Sequence, residues 1–367
     1  MQKDGPLRAL GTMSGTSLDG IDAALIVTDG EAIYETGKCA YRPYSSSERE
    51  TIRKALGAWG ETEAVEAAAE VIETAHCELL AEFQGIDLIG FHGQTIAHDP
   101  RGRGTRQLGS GEIVAAALGF PVIWDFRSTD VAMGGEGAPL APFYHFAALA
   151  QAGIGSSAAV LNLGGVGNLT LLDLTRASPD APGACLAFDT GPANAPINDL
   201  VQARRGEAFD RDGALAEAGQ ANQGIVARAL EHSYFAKVPP KSLDRDDFPD
   251  LLDRVAGLSD ADAAATLVEI GARAVALGLE HAPAPPDQLF VTGGGRRNRA
   301  FMVALSQKLP FPVAPVEAAG LDGDMLEAQA FAYLAVRVLR GLPTSAPGTT
   351  GVPTPVSGGQ IAGLGAS

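Results

Sequence analysis

Short glycine-rich blocks hold most of the residues able to do chemistry: GTMSGTSLDG (11–20), GFHGQTIAH (90–98), MGGEGAP (133–139), LNLGGVGNLT (161–170), FDTGPAN (188–194) and VTGGG (291–295). The first offers backbone N–H groups at Gly15, Thr16 and Ser17, two hydroxyls and the Asp19 carboxylate. Successive N–H groups in a turn of small residues make a concavity for phosphate oxygens, and hydroxyls add donors without bulk. Asp19 or Asp22 could reach a magnesium ion, directly or through water, because Mg²⁺ keeps several of its waters. No lysine follows a glycine at Walker spacing, so this is not a P-loop, and its plain alternative is a polar hairpin turn.

LNLGGVGNLT, with Gly164 and Gly165, is a second such turn. Gly293, Gly294 and Gly295 form a third at a strand end, where Arg296 and Asn298 could flank an adenine or ribose. Asp189 stands where a strand gives way to a turn. With an ordinary carboxylate pKa near 3.9 it is ionised at neutral pH, as a general base must be; the alternative is an Asx turn or helix cap. Arg127, in DFRSTDVAMGGEGAPLAP, suits bidentate capture of a carboxylate or phosphate, or else an ion pair with Asp125. His92 and His98 lack metal-ligand spacing, and His92 and Gln94 are expected as polar ligand contacts at a strand end. Neither a Ser-His-Asp nor a Cys-His set can be selected, and Gly11–Gly15, reading G-T-M-S-G after a strand, leads into a polar turn, not the helix of a nucleophile elbow.

The apolar pattern supplies the elements that position these groups. Strands are expected at Leu7–Met13, Ile21–Val27 and about Ala32–Tyr41, then helices at Ser47–Ala58 and Glu61–Phe83 and a short strand Ile86–Phe91. The second half repeats the scheme with strands Ala158–Leu163, Leu169–Leu174 and Cys185–Asp189. Helices follow at Ala193–Arg204, Gly213–His232 and Ala261–His281, then the strand Leu289–Thr292 and helices Arg297–Leu309 and Asp324–Arg340. Residues 341–367 predict an irregular surface tail. Two halves built alike imply a duplicated α/β architecture with a ligand in the cleft between lobes.

At 367 residues, 46% of them hydrophobic and 19% charged, the chain has material for about two packed domains. A net charge of -17, from 27 basic and 44 acidic residues, opposes nucleic-acid or anionic-membrane binding. Cys39, Cys77 and Cys185 form no CxxC pair, the start lacks the apolar run of a signal peptide, and no apolar stretch reaches about 18 residues. A cytoplasmic protein is expected.

Taken in order, GTMSGTSLDGID, GFHGQTIAH, DFRSTDVAMGGEGAPLAP, LNLGGVGN, AFDTGPAN, KSLDRDDF and VTGGGRRN closely resemble the motifs of the bacterial anhydro-N-acetylmuramic acid kinases, from about residue 9 to PTSAPGTTG. That resemblance implies a duplicated actin-like (ribonuclease-H-like) two-lobe fold with a nucleotide cleft between the lobes. The N-terminal lobe would comprise 1–135 plus about 341–367, and the C-terminal lobe 136–340.

It also implies an ATP- and Mg²⁺-dependent kinase of peptidoglycan recycling, usually homodimeric, that opens a 1,6-anhydrosugar with water and phosphorylates the freed 6-oxygen. Asp189 would be the base that activates the water. Gly15, Thr16, Ser17, Leu18, Asp19, Gly20, Ile21 and Asp22 would form the first phosphate segment, with Asp19 toward the metal, and Gly164, Gly165 and Gly293 to Gly295 would line the rest of the nucleotide site. Arg127 and Glu327, the last in EAQAFAYLA, would lie at the sugar, the ligand to which His92 and Gln94 are expected as polar contacts. Trp124 stands where the family commonly has alanine before Asp125. A kinase for another anhydrosugar such as levoglucosan, and a non-catalytic ATP switch of the same fold, are the alternatives.

Overall fold

A computed structural model describes residues 5–243 and 247–363. The chain forms two compact units. The first holds the described residues up to Gln151, Ser178–Pro182 and those from Met325 on; the second holds those of Ala152–Ala177 and Gly183–Asp324.

In the first unit, β1 (Leu7–Ser14), β2 (Gly20–Thr28) and β3 (Ile33–Pro43) form an antiparallel meander. β4 (Leu88–Asp99) pairs parallel with β1, β5 (Gly104–Leu108) antiparallel with β4, and β6 (Val122–Trp124) parallel with β4. β1, β2 and β4 are buried along most of their length because helices cover both faces of the sheet. On one face the helix Glu63–Leu80 contributes Val65, Ala68, Ile72 and Leu79 to the core. On the other, Leu326–Leu339 lies directly on β1, β2 and β4. A Cβ on Gly11 would stand 2.0 Å from the Ala328 carbonyl oxygen, and one on Gly90 2.2 Å from that of Phe331. These two glycines therefore serve close packing of helix on sheet.

The second unit repeats this plan. β7 (Ser157–Leu163), β8 (Val166–Asp173) and β9 (Cys185–Pro192) form the meander, and β10 (Leu289–Thr292) and β11 (Val313–Pro315) extend it in parallel. The order β11-β10-β7-β8-β9 matches β6-β4-β1-β2-β3 strand for strand. The duplication expected of this α/β chain is thus written in the connectivity of each sheet.

Several expectations need correction. β4 runs on to Asp99 and β9 to Pro192, so His92, Gln94 and Asp189 lie within strands, held by neighbours on the ladder, and not at strand ends. The expected helix Gly213–His232 is broken into Ala214–Glu217 and Gln223–Leu230, because Gly219 passes so close to the next helix that a Cβ would meet the Ala261 oxygen at 2.0 Å, and Asn222 caps a new start. The helix expected at Asp324–Arg340 spans Leu326–Leu339 and is buried almost all round. The tail is no surface appendage: Ser345, Thr349, Thr350, Val352 and Val356 are buried, and Gln360–Ala362 adds a strand antiparallel to β6.

The expected boundaries at 135 and 340 also differ from the observed units. Residues 136–151 and 325–340 belong with the first, since Leu326–Leu339 packs on its sheet and on the helix Pro142–Gln151. Asp180 joins the same unit, its carboxylate accepting from the buried Arg337 at 2.9 Å.

Candidate active site

The first glycine turn joins β1 to β2. Leu18 closes it, donating its N–H to the Gly15 oxygen at 3.1 Å from a left-handed φ of 58°. A non-glycine residue in that region costs on the order of 1 kcal/mol, which buried packing of the side chain offsets. The result displays Thr16, Ser17 and Asp19 to solvent, while Gly20 and Ile21 are buried. Gly20 is pressed against the Arg42 carbonyl oxygen and the Tyr41 ring, which leave no room for a Cβ. The Asp19 carbonyl is held by Tyr44 N–H and Tyr41 Oη–H at 3.0 Å each. Its carboxylate and the adjacent hydroxyls are hard oxygen donors of the type Mg²⁺ takes. Among the described residues no cluster of three or more His, Cys, Asp or Glu side chains could hold a metal by itself, so an ion here would depend on waters and ligand oxygens.

Gln94 belongs beneath this turn. It is fully buried; its Oε1 accepts from Ser14 Oγ at 2.6 Å, and its Nε2 donates to the Gly15 and Thr95 oxygens at 3.2 Å. With both ends of the amide engaged, Gln94 props the turn and does not present itself to a sugar.

His92, two residues earlier, faces Arg127. The Arg127 Nε and Nη2 donate to His92 Nε2 at 3.2 and 3.0 Å, and Nη1 donates to the Gly137 oxygen at 2.7 Å. His92 Nδ1 lies 2.9 Å from the Gly93 oxygen, which assigns the proton to Nδ1 and leaves Nε2 as acceptor. Burial and the neighbouring guanidinium hold the His92 pKa well below its ordinary value, so the ring is neutral and the arrangement consistent. Burial lowers Arg127 to about 10, against the attraction of Glu327 and Asp130, so it stays charged at neutral pH.

Of the five guanidinium N–H groups, these bonds use three. Among the described residues, one on each terminal nitrogen remains for a ligand. Glu327 retains solvent access, yet the protein around it raises its pKa by desolvation, with Arg127 opposing. It is the single charged side chain of its helix left outside the packed layers.

The ion-pair alternative for Arg127 is not formed: Asp125, at φ 51°, accepts from Ser128 Oγ at 2.5 Å and Gln360 Nε2 at 2.9 Å. His98 turns instead to Thr105 Oγ1 at 2.9 Å. A cavity of about 140 Å³ lies beside His92, walled by Phe91, Gln107, Trp124, Asp125 and Ser128.

In the second unit, Asp189 is held at both carboxylate oxygens. Oδ1 accepts from Asn168 Nδ2 and Oδ2 from Leu243 N–H, each at 2.8 Å. Its own N–H donates to the Lys241 oxygen at 3.0 Å, and its carbonyl accepts from Tyr234 Oη at 2.6 Å. It caps no helix. Desolvation raises its pKa above the ordinary carboxylate value, with the Asn168 and Leu243 bonds pulling the other way. Of the KSLDRDDF motif, Asp244, Arg245 and Asp246 lie outside the described residues.

The other glycine turns divide by role. The Gly164 and Gly165 oxygens accept from Asn194 and Ala193 N–H at 3.0 Å, fixing the turn to the start of the helix Asn194–Arg205, and Gly165 is exposed. Gly293, at φ 74°, and Gly295 pack so tightly that a Cβ would meet Asn162 Oδ1 at 2.2 Å and Leu163 Cβ at 2.4 Å. Gly294 faces open space. Arg296 is committed to Glu317 and Asp324 at 2.8 and 2.9 Å, and Asn298 caps Arg299–Lys308, so neither is available to a nucleotide base.

Sequence reasoning missed Asn168, Tyr234 and the Gly137 carbonyl. Asn168 was findable, since it stands in the LNLGGVGN motif and the hairpin register puts it opposite Asp189.

Residues 7–363 match the family model described as anhydro-N-acetylmuramic acid kinase. A protein of that name from Cereibacter sphaeroides is 63% identical over 361 residues, covering 98% of this chain and 97% of its own length. Another from Roseobacter denitrificans is 60% identical over 359 residues, covering 98% and 95%. Among solved structures, an activator of 2-hydroxyisocaproyl-CoA dehydratase from Clostridium difficile with bound ADPNP aligns at TM-score 0.44 and 11% identity, covering 91% of this chain and 96% of its own. A ROK family glucokinase from Streptomyces griseus in complex with glucose and AMPPNP aligns at 0.39 and 13%, covering 89% and 98%.

Proposed function

Because the chain belongs to the anhydro-N-acetylmuramic acid kinase family, we propose that it opens 1,6-anhydro-N-acetylmuramic acid with water and transfers the ATP γ-phosphoryl group to the 6-oxygen, giving N-acetylmuramic acid 6-phosphate and ADP. Asp189 takes a proton from water as the water oxygen bonds to the anomeric carbon. The bond from that carbon to the 6-oxygen breaks, and the 6-oxygen attacks the γ-phosphorus as the bond to ADP is released. A departing oxygen that is itself phosphorylated needs no second carboxylic acid to protonate it, unlike the leaving group of an ordinary glycosidase.

The observation that carries this reading is the setting of Asp189. Two directed donors, Asn168 Nδ2 and Leu243 N–H, fix its orientation, while desolvation makes it a stronger proton acceptor than a carboxylate in water. Arg127, with one free N–H on each terminal nitrogen, grips the lactyl carboxylate, His92 steadies Arg127 from behind, and Glu327 contacts the sugar. Gly15, Thr16, Ser17 and Asp19, with Gly164, Gly165 and Gly294, receive the nucleotide. Thr16, Ser17 and Asp19 would hold a hydrated Mg²⁺, which when bound neutralises charge on the β- and γ-phosphates.

We assign the protein to peptidoglycan recycling in the cytoplasm, as a homodimer. Among the described residues no helix is long and apolar enough to cross a membrane. The test is ADP release with the anhydromuramyl sugar against a neutral anhydrosugar such as levoglucosan. Release dependent on the muramyl sugar is expected; equal turnover of the neutral sugar would replace the assignment with a general anhydrosugar kinase, and ATP binding without turnover of either would leave a nucleotide switch.

A further inference from the structure

Asp130 is 1% exposed, and no step above uses it. Its Oδ2 accepts from Ser345 Oγ at 2.5 Å and Thr350 Oγ1 at 2.6 Å, both from the C-terminal tail. Its Oδ1 accepts from Gly137 N–H at 2.7 Å. The chain wraps this carboxylate closely: a Cβ on Gly135 would lie 2.1 Å from Oδ1, and Gly137 holds φ 68°. A second strut, Glu136 N–H to the Thr350 oxygen at 2.7 Å, ties the same loop to the tail. The Gly137 carbonyl is the acceptor of Arg127 Nη1. A continuous series of bonds therefore runs from the tail hydroxyls through Asp130 and Gly137 to the guanidinium.

A buried carboxylate is tolerated only when its lone pairs are met, and here three donors meet them. Its charge also lies near enough to Arg127 to favour the guanidinium's charged form.

We propose that Asp130 is a positioning residue for sugar binding: it fixes Gly137 so that the Gly137 carbonyl aims Arg127, and Ser345 and Thr350 of the C-terminal tail fix Asp130 in turn. This rests on the reading that Arg127 grips the sugar carboxylate. An amide at position 130 keeps the size but turns one acceptor into a donor, which must face either Gly137 N–H or the tail hydroxyls. Facing the hydroxyls, which can also accept, the amide still removes the charge, so the charge-assisted bonds that hold Gly137 and the tail weaken and Arg127 is aimed less firmly.

The experiment measures KM and kcat for Asp130→Asn, Arg127→Lys, Arg127→Ala and the double variant Asp130→Asn/Arg127→Lys, with sugar affinity read independently by calorimetry. Asp130→Asn is expected to raise the KM and Kd for the anhydromuramyl sugar about tenfold, the scale of one charge-assisted hydrogen bond, with the KM for ATP unchanged. Combined with Arg127→Lys, its effect should fall well short of the product of the two, because both act on one contact. Sugar and ATP constants rising together, or effects that multiply, would overturn the proposal and leave Asp130 a fold anchor. If Asp130→Asn fails to fold, the paired variant Ser345→Ala/Thr350→Val, which keeps the carboxylate, decides: a raised sugar KM with unchanged ATP KM supports the proposal, and unchanged sugar binding sinks it. Unaltered sugar binding in Arg127→Ala would remove the underlying reading, whereas weakened binding there beside normal binding in Asp130→Asn removes only the role of Asp130.

Discussion

Asn168 and Asp189 stand directly opposite each other on β8 and β9, with the amide Nδ2 2.8 Å from one carboxylate oxygen. The ladder that builds the sheet thus also sets the orientation of the proposed base. Asp189→Asn should fold, bind ATP and lose about 10²- to 10⁴-fold in kcat, the usual contribution of a general base. Single-turnover ADP release checks it, and turnover within threefold of the parent would mean another group takes the proton.

The pH dependence follows from the same pair. Desolvation raises the Asp189 pKa and the Asn168 bond lowers it, so the acid limb of kcat/KM should lie above the ordinary carboxylate range. Asn168→Ala removes a donor to the charged form and should move that limb to still higher pH. A limb that stays in place or moves down in Asn168→Ala contradicts the assignment of Asp189 as the titrating base.

Arg127→Ala should raise the KM for the muramyl sugar about 10- to 100-fold, the worth of hydrogen bonds to a charged group. Turnover of a neutral anhydrosugar should change far less. Equal losses on both substrates would show that Arg127 shapes the pocket without reading the lactyl carboxylate.

Gly294 and Gly293 offer a contrast one residue apart. Gly294→Ala meets open space and should melt with the parent while ATP affinity falls. Gly293→Ala must accept φ 74° and a Cβ 2.2 Å from Asn162 Oδ1, and should lower stability by roughly 1–3 kcal/mol. Thermal unfolding with and without nucleotide separates the two.

Gly11→Val should be the most damaging of these changes. Its Cβ would sit 2.0 Å from a backbone oxygen of Leu326–Leu339, where no side chain can swing aside. A loss of more than about 4 kcal/mol is expected in urea unfolding, the range reached when a core is forced open.

The sequence carries the duplication plainly, because strand, glycine turn, strand is a local signal repeated at Leu7–Val27 and Ala158–Leu174. It carries Asp189 and Arg127 for the same reason: a charged residue among small ones stands out. What it hides is pairing across long separations. Gln94 looks like a ligand contact until the register of β1 and β4 puts it beside Ser14. Gly11 and Gly90 look like ligand turns or bare strand positions until a helix more than 230 residues later lies on them. The tail's Pro, Gly, Ser and Thr residues read as surface because nothing local announces that Ser345 and Thr350 meet a buried carboxylate.

The first unit's dependence on Leu326–Leu339 sets an order of events during synthesis. As the chain emerges, β1, β2 and β4 are made early, yet the layer that covers one of their faces arrives only with the last turns of translation. The continuous stretch Gly183–Asp324 and the hairpin before it can close their own core meanwhile. A nascent chain therefore carries an uncovered apolar sheet until Leu326–Leu339 is released, and a message truncated after Asp324 yields one unit with a full set of strands and another that holdase chaperones and proteases will meet as unfinished.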